Sequence, residues 1–248
     1  MLEQIKDHFS RDDIPVILTT THGLGGIGKT QLAIEFAWRN YQKYNGVAWF
    51  NSENRGHLLD DYISLGKKLN IVYASDRDTH IEERALFVKD WLEDPKHAGW
   101  LLIYDNAPKY GGADQEGIGD LFPTEGGKIL VTSRYATGWP QSIKVEVFTP
   151  EESRAYIKKA LGTEDLDTSQ VNQLAETLGH LPLALAQACA YIKKSHVIIE
   201  RYLELYEIRK KELLSDKILA DQTLPPDAHR AIVYITWDIT MEAVRKDP

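Results

Sequence analysis

With 248 residues, 43% of them hydrophobic and 27% charged, the chain has the composition of a folded globular protein with a sizeable core, which sets disorder aside. A formal net charge of −8 argues against a surface whose main work is neutralising nucleic-acid phosphates. The single cysteine, Cys189, rules out an intrachain disulfide and a cysteine-rich zinc site, and it fits a reducing compartment.

The N-terminal stretch Met1 to Ser10 mixes Glu3, Lys6 and Asp7 with apolar residues, which is not a secretory pattern. Pro15 to Thr21 reads as the first strand, and Val47 to Asn51, Trp100 to Asp105, Lys128 to Ser133 and Lys144 to Phe148 read as the others. Helical patterns lie between them at Lys29 to Tyr44, Gly56 to Leu69 and Ile81 to Leu92. This alternation predicts an α/β domain, a parallel sheet flanked by helices. The run Trp100-Leu101-Leu102-Ile103-Tyr104 is apolar throughout, as burial on both faces of a sheet requires. Trp38, Trp49 and Trp100 read as packing residues of the sheet and helices in preference to ligand-stacking ones.

After Thr149 the strand signal stops, and Pro150-Glu151-Glu152 opens a helical domain with proline at the first turn and acids beside it. Its helices are expected near Pro150 to Leu161, Thr168 to Leu178, Leu181 to Ser195 and Glu200 to Leu214. The longest nearly apolar run, Leu181 to Ile192, is too short to span a bilayer, so a soluble, cytoplasmic protein is expected. Asp221 to Asp227, with Pro225-Pro226, reads as a linker. His229 to Arg245 looks like the first helix of a further unit, and the chain reads as a fragment. The expected divisions are 1–148, 149–222 and 223–248. The eight histidines show no paired metal spacing.

Gly23-Leu24-Gly25-Gly26-Ile27-Gly28-Lys29-Thr30 matches the phosphate-loop pattern G-x-x-x-x-G-K-[ST] between a strand and a helix. Glycines let the backbone curl so that successive N–H groups face phosphate oxygens, and the helix beginning near Lys29 adds its positive N-terminal dipole. Lys29 is expected to reach the β and γ phosphates and Thr30 to hold Mg²⁺ through its hydroxyl. Gln31 is counted with the loop as a nucleotide contact. An acid at the end of a neighbouring strand should orient the magnesium, and Asp105 supplies it; a turn-forming Asp capping a strand is the alternative, but the spacing, the apolar run and the loop occurring together favour the magnesium role. The next residue, Asn106, is an amide that cannot take a proton from water, so hydrolysis is expected to be slow unless another acid substitutes. Arg134, ending Lys128-Ile129-Leu130-Val131-Thr132-Ser133-Arg134, could touch a γ phosphate or make a surface salt bridge, and the residues leave both open.

In this order the pieces resemble the NB-ARC class of STAND ATPases, the signalling ATPases of plant immune receptors, apoptosome proteins and many bacterial and fungal sensors. Gly23 to Thr30 is similar to their Walker A, Leu101 to Asn106 to their Walker B, and Leu130 to Arg134 to their sensor strand. Gly179-His180-Leu181-Pro182-Leu183-Ala184-Leu185 is similar to the GLPLAL motif of their helical ARC domain. The resemblance implies that Pro182 packs near the adenine, that ADP or ATP is bound with Mg²⁺, and that Arg230 to Pro248 opens an incomplete winged-helix domain. Tyr202 to Tyr206 and Ile235 to Asp238 resemble the branch carrying tetratricopeptide repeats downstream. By the same resemblance, nucleotide exchange would control self-oligomerisation, with upstream effector and downstream repeat domains in the full protein and hydrolysis weak at most. The family's upstream GRE-type motif is not found before Leu2, and its MHD-type histidine would fall beyond Pro248. Two other readings stand beside this one: an ordinary P-loop ATPase or kinase, and the nucleotide module of a transcription regulator. Neither membrane nor direct nucleic-acid contact is expected.

Overall fold

The structure, a computed structural model, describes residues 1–11, 15–19, 25–71, 80–108, 110–111, 117–135, 139, 142–163, 165–215 and 228–246. The chain divides into two compact units, Met1–Gly23 with Lys29–Val145, and Leu24–Gly28 with Glu146–Pro248.

The first unit is a five-stranded parallel sheet in the order β2-β3-β4-β1-β5. Its strands are β1 (Val16–Thr19), β2 (Gly46–Asn51), β3 (Trp100–Ala107), β4 (Gly127–Ser133) and β5 (Ser142–Lys144), and its helices are α1 (Leu2–Arg11), α2 (Lys29–Asn40), α3 (Arg55–Lys68) and α4 (Ile81–Glu93). Side chains alternate across a strand, so β3 splits into two sets. Leu102 and Tyr104 join Ala48, Phe50, Ile129 and Val131 in a core packed with Leu58, Tyr62, Val88 and Leu92 of α3 and α4. Leu101 and Ile103 fall on the opposite face, fully buried, on the side where α2 meets β3 and β4. There α2 buries Ala33 and Phe36, and Phe36 meets Phe9 of α1 edge to face at 5.6 Å between ring centroids. Ile5 and Phe9, one turn apart, are the buried stripe that makes α1 a helix.

The second unit is helical: α5 (Pro150–Leu161), α6 (Thr168–Thr177), α7 (Pro182–Ser195), α8 (Ile199–Ser215) and α9 (Ala228–Lys246). Its ends are set by local chemistry. Thr149 and Glu152 form a reciprocal capping box at the start of α5, and Gly162, at φ 79°, closes that helix in the left-handed conformation. Asp167 caps α6 by accepting from the Ser169 N–H, and Pro182 opens α7 where a missing N–H costs nothing. Ile157, Leu174, Leu178, Leu185, Ile192 and Tyr202 belong to one buried cluster. Within it, burial pushes the Cys189 thiol up to about 12, which makes it a packing group and not a nucleophile at neutral pH.

The sequence expectations need four corrections. The last strand is Ser142–Lys144 and not Lys144 to Phe148: β1 is only four residues long, and after Lys144 a single further bond, from the Val145 N–H to the Thr19 carbonyl, continues the pairing. The helix expected to reach Tyr44 ends at Asn40, whose side chain donates to the Phe36 carbonyl at 2.8 Å, and a 3-10 turn follows at Tyr41–Lys43. Trp38 and Trp49 are not packing residues; they are 75% and 40% exposed. Helix α1 was not expected at all. Of the first strand, Thr20 and Thr21 lie outside the described residues, as does the linker Asp221 to Asp227.

Candidate functional site

Parallel strands all end at one edge, and that edge of the first unit collects the polar side chains. The acid-bearing strand β3 is not the neighbour of β1, as the sequence suggested. Strand β4 lies between them. Thr132 of β4, fully buried, therefore sits where the two must communicate. Its hydroxyl donates to Asp105 Oδ1 at 2.5 Å and accepts the Asn106 N–H at 2.9 Å. Thr30, at the start of α2, donates its hydroxyl to the same Asp105 oxygen at 2.9 Å. Asp105 is thus held from both sides by hydroxyls. Sequence reading passed over Thr132; a hydroxyl two residues beyond the apolar Leu130, on a strand otherwise buried, was the available signal.

Lys29 is 8% exposed. Burial and the nearby Arg134 guanidinium push its ammonium down to about 8, against the opposing attraction of Asp105. Lys29, Thr30, Asp105 and Arg134 therefore belong to one constellation, in which two cations face one carboxylate. Two cations with hydroxyl donors at the start of a helix are the chemistry that holds a polyphosphate. Thr30 and Asp105 offer the hydroxyl and carboxylate oxygens a magnesium ion takes, and no group of three or more His, Cys, Asp or Glu side chains suited to a metal occurs among the described residues.

Asn106 sits at φ 62°, where the β3–β4 register shifts between Tyr104 and Ala107, and its side chain is exposed. Ser133, buried, anchors the bulge by donating to the Ala107 carbonyl at 2.7 Å.

Gly25, Gly26, Ile27 and Gly28 are grouped with the second unit. Gly26 and Gly28 have φ of 76° and 99°, conformations that side chains resist, and a Cβ on Gly28 would meet nothing within 4 Å. In this unit the Leu183 N–H, one residue past Pro182, donates to the Gly26 carbonyl at 3.2 Å. Ile27 is buried and Gln31, on α2, is exposed. Gly23 and Leu24 lie outside the described residues.

No family model matches the chain. It is 27% identical over 239 residues to a nucleotide-binding leucine-rich repeat (NLR)-like protein of Hyaloscypha variabilis, covering 87% of this chain and 23% of that protein. Over 178 residues it is 28% identical to the regulatory protein AfsR of Streptomyces coelicolor, covering 68% and 17%. Over 216 residues it is 24% identical to "Probable disease resistance RPP8-like protein 2" of Arabidopsis thaliana, covering 80% and 23%. The chain thus spans 17–23% of the length of these relatives. Among solved structures, a Walker-type ATPase of Pyrococcus abyssi matches with a TM-score of 0.57 at 12% identity, over 90% of this chain and 75% of that one. A STAND protein with a tetratricopeptide repeat sensor from Pyrococcus horikoshii matches with a TM-score of 0.52 at 16% identity, over 95% and 38%. At those identities the structural likeness speaks for the fold, that of P-loop ATPases, and the NLR-like and disease-resistance relatives support reading the chain as a nucleotide-binding P-loop module of the NB-ARC/STAND kind.

Proposed function

We propose that the chain is the adenine-nucleotide switch of a larger cytoplasmic signalling ATPase, closed with ADP and open to self-association with ATP. The observation that carries this reading is Asp105, whose carboxylate accepts from both Thr30 and Thr132 beside the Lys29 and Arg134 cations. Lys29 holds the β and γ phosphates, Thr30 and Asp105 hold Mg²⁺, and Arg134 reports the γ phosphate. The loop Gly23 to Thr30, with Gln31, cradles the nucleotide, and Pro182 packs on the adenine. Mg²⁺ supplies neutralisation of the phosphate charge. A γ phosphate can shift a conformational equilibrium only through contacts that differ between states, and Arg134 is the residue able to make one. Effector and repeat domains belong to the parent protein, and turnover is slow, in keeping with Asn106 after Asp105.

Two measurements test this. Nucleotide released from the purified chain and separated by chromatography should be ADP at near-equal stoichiometry. Lys29→Ala should weaken ADP binding by about 100-fold, as expected for removing a charge-assisted contact with a phosphate. Equal affinity of variant and wild type would sink the assignment. The likeness to the regulatory protein AfsR favours one second reading, in which the same switch drives a transcription regulator. ATP-dependent association of the longer parent protein with DNA would select it.

A further inference from the structure

Hydrolysis of ATP is accelerated by a group that takes a proton from water, and Asn106 is an amide. One other acid at the ligand edge is tied to Asp105 through the backbone. Strand β2 ends at Asn51, whose Cα pairs in register with that of Asp105. The next N–H, of Ser52, donates to the Asp105 carbonyl at 2.8 Å, and Glu53 follows. By alternation Asn51 shares a sheet face with Val47 and Trp49, whose register partners Leu101 and Ile103 lie with Asp105 on the α2 side. Glu53 lies in the turn between the end of β2 and α3, one residue beyond the Ser52 bond to Asp105.

Both flanks of Glu53 are pinned. Its N–H donates to Asn51 Oδ1 at 3.1 Å, and the Asn51 N–H donates to Asp61 at 2.6 Å. On the other flank Asn54 caps α3 by accepting the His57 N–H at 2.9 Å. The Glu53 side chain itself is exposed, and among the described residues no hydrogen bond or ion pair engages its carboxylate. Neighbouring acids are already occupied: Asp61 holds Asn51, while Glu82 and Asp120 bind Arg55 at 2.5 and 2.9 Å.

We propose that Glu53 is the general base for ATP hydrolysis in this module. The inference rests on the nucleotide-switch reading and names the acid that ends the ATP state. The Glu53 carboxylate accepts one proton from water as the water oxygen bonds to the terminal phosphorus. The bond from that phosphorus to the bridging oxygen breaks, its electron pair leaves with ADP, and the proton passes from Glu53 to solvent as inorganic phosphate departs.

Glu53→Gln and Glu53→Asp in the whole chain, compared by fluorescent-ATP binding and by single-turnover phosphate release with Mg²⁺, test it. Glu53→Gln should bind ATP within about twofold of wild type yet release phosphate about 100-fold more slowly, a typical general-base effect, with Glu53→Asp in between. ATP binding kept while phosphate release falls is a split that a merely structural role would not produce. Phosphate release by Glu53→Gln at the wild-type rate overturns the proposal, and so does a wild-type chain that binds ATP and never cleaves it. A wild-type chain that binds neither ATP nor ADP removes the switch reading itself, a result visible in the binding arm alone.

Discussion

The sheet unit and the helical unit dispose of their buried polar groups in opposite ways. In the helical unit two of them are satisfied close by: Ser153 meets His180 Nδ1 at 2.9 Å, and the Thr236 hydroxyl meets Gln187 and the Val233 carbonyl, while the buried Tyr202 hydroxyl has no partner among the described residues. In the sheet unit they gather at the carboxyl ends of strands, where Lys29 is buried beside a second cation and loses much of its hold on a proton. The helical unit spends these polar groups on its own ends and corners, whereas the sheet unit collects Lys29, Thr30, Thr132, Asp105 and Arg134 at one edge. Stability and binding should therefore separate under mutation.

The largest effect expected is on the helical side. Leu185 is fully buried in the α7 core, and Leu185→Ala should cost about 2–5 kcal/mol, the lost transfer energy plus a cavity. Thermal unfolding and amide exchange of α6 to α8 would measure it. Lys29→Met is the counterpart at the sheet edge. It removes an ammonium whose hold on its proton burial and Arg134 already weaken, so the chain should lose nucleotide with a smaller loss of stability than Leu185→Ala. A Lys29→Met chain as destabilised as Leu185→Ala would erase the contrast.

A smaller effect sharpens the comparison inside the sheet unit. The Tyr62 hydroxyl donates to the Leu121 carbonyl at 2.6 Å, so at its 2.6 Å contact with Tyr104 it is the acceptor. Both phenols are fully buried, and burial pushes both well up from the ordinary tyrosine range, so neither ionises. Tyr62→Phe strands both the Tyr104 hydroxyl and the Leu121 carbonyl and should cost about 1–3 kcal/mol. Tyr104→Phe leaves the Tyr62 bond to Leu121 intact and should cost roughly 1 kcal/mol or less. Urea unfolding of the two variants checks the order; the reverse order would mean the proton runs the other way.

What could be read in advance followed from chemistry that is local in sequence. The parallel sheet came from unbroken apolar runs such as Trp100 to Tyr104, the helical unit from Pro150-Glu151-Glu152, and the meeting of Lys29, Thr30 and Asp105 from spacing. The misses depend on which strand lies beside which. Strand order inserts β4 between β1 and β3, and only that order gives Thr132 its place on Asp105. Strand β5 is three residues long because its one partner among the described residues is the short β1, and no property of Lys144 to Phe148 announces this. Trp38 and Trp49 were assigned to the interior on size alone, yet Trp38 leaves the sheet-facing side of α2 to Ala33 and Phe36, and Trp49 lies on an edge strand.

A pH series tests the sheet edge without changing its fold. With its pKa down at about 8, Lys29 in the free chain sheds its proton as pH rises through that value, whereas a bound polyphosphate favours the ammonium form. ADP affinity should therefore be level below this point and fall by about 10-fold between pH 7 and 9, with net proton uptake on binding near pH 8. Stability of the free chain should move the opposite way. The unfolded lysine, near its ordinary 10.5, holds a proton that the folded one has released, so between about 8 and 10.5 this group makes the fold more stable with rising pH. Calorimetry in buffers of different ionisation enthalpy reads the proton uptake, and denaturant unfolding across the same range reads the stability. Arg134→Gln separates the two causes of the shift: it removes the repelling cation while Lys29 stays buried, so the break in ADP affinity should move to higher pH without disappearing. A break that stayed in place would leave burial as the sole cause and take Arg134 out of the constellation around Lys29.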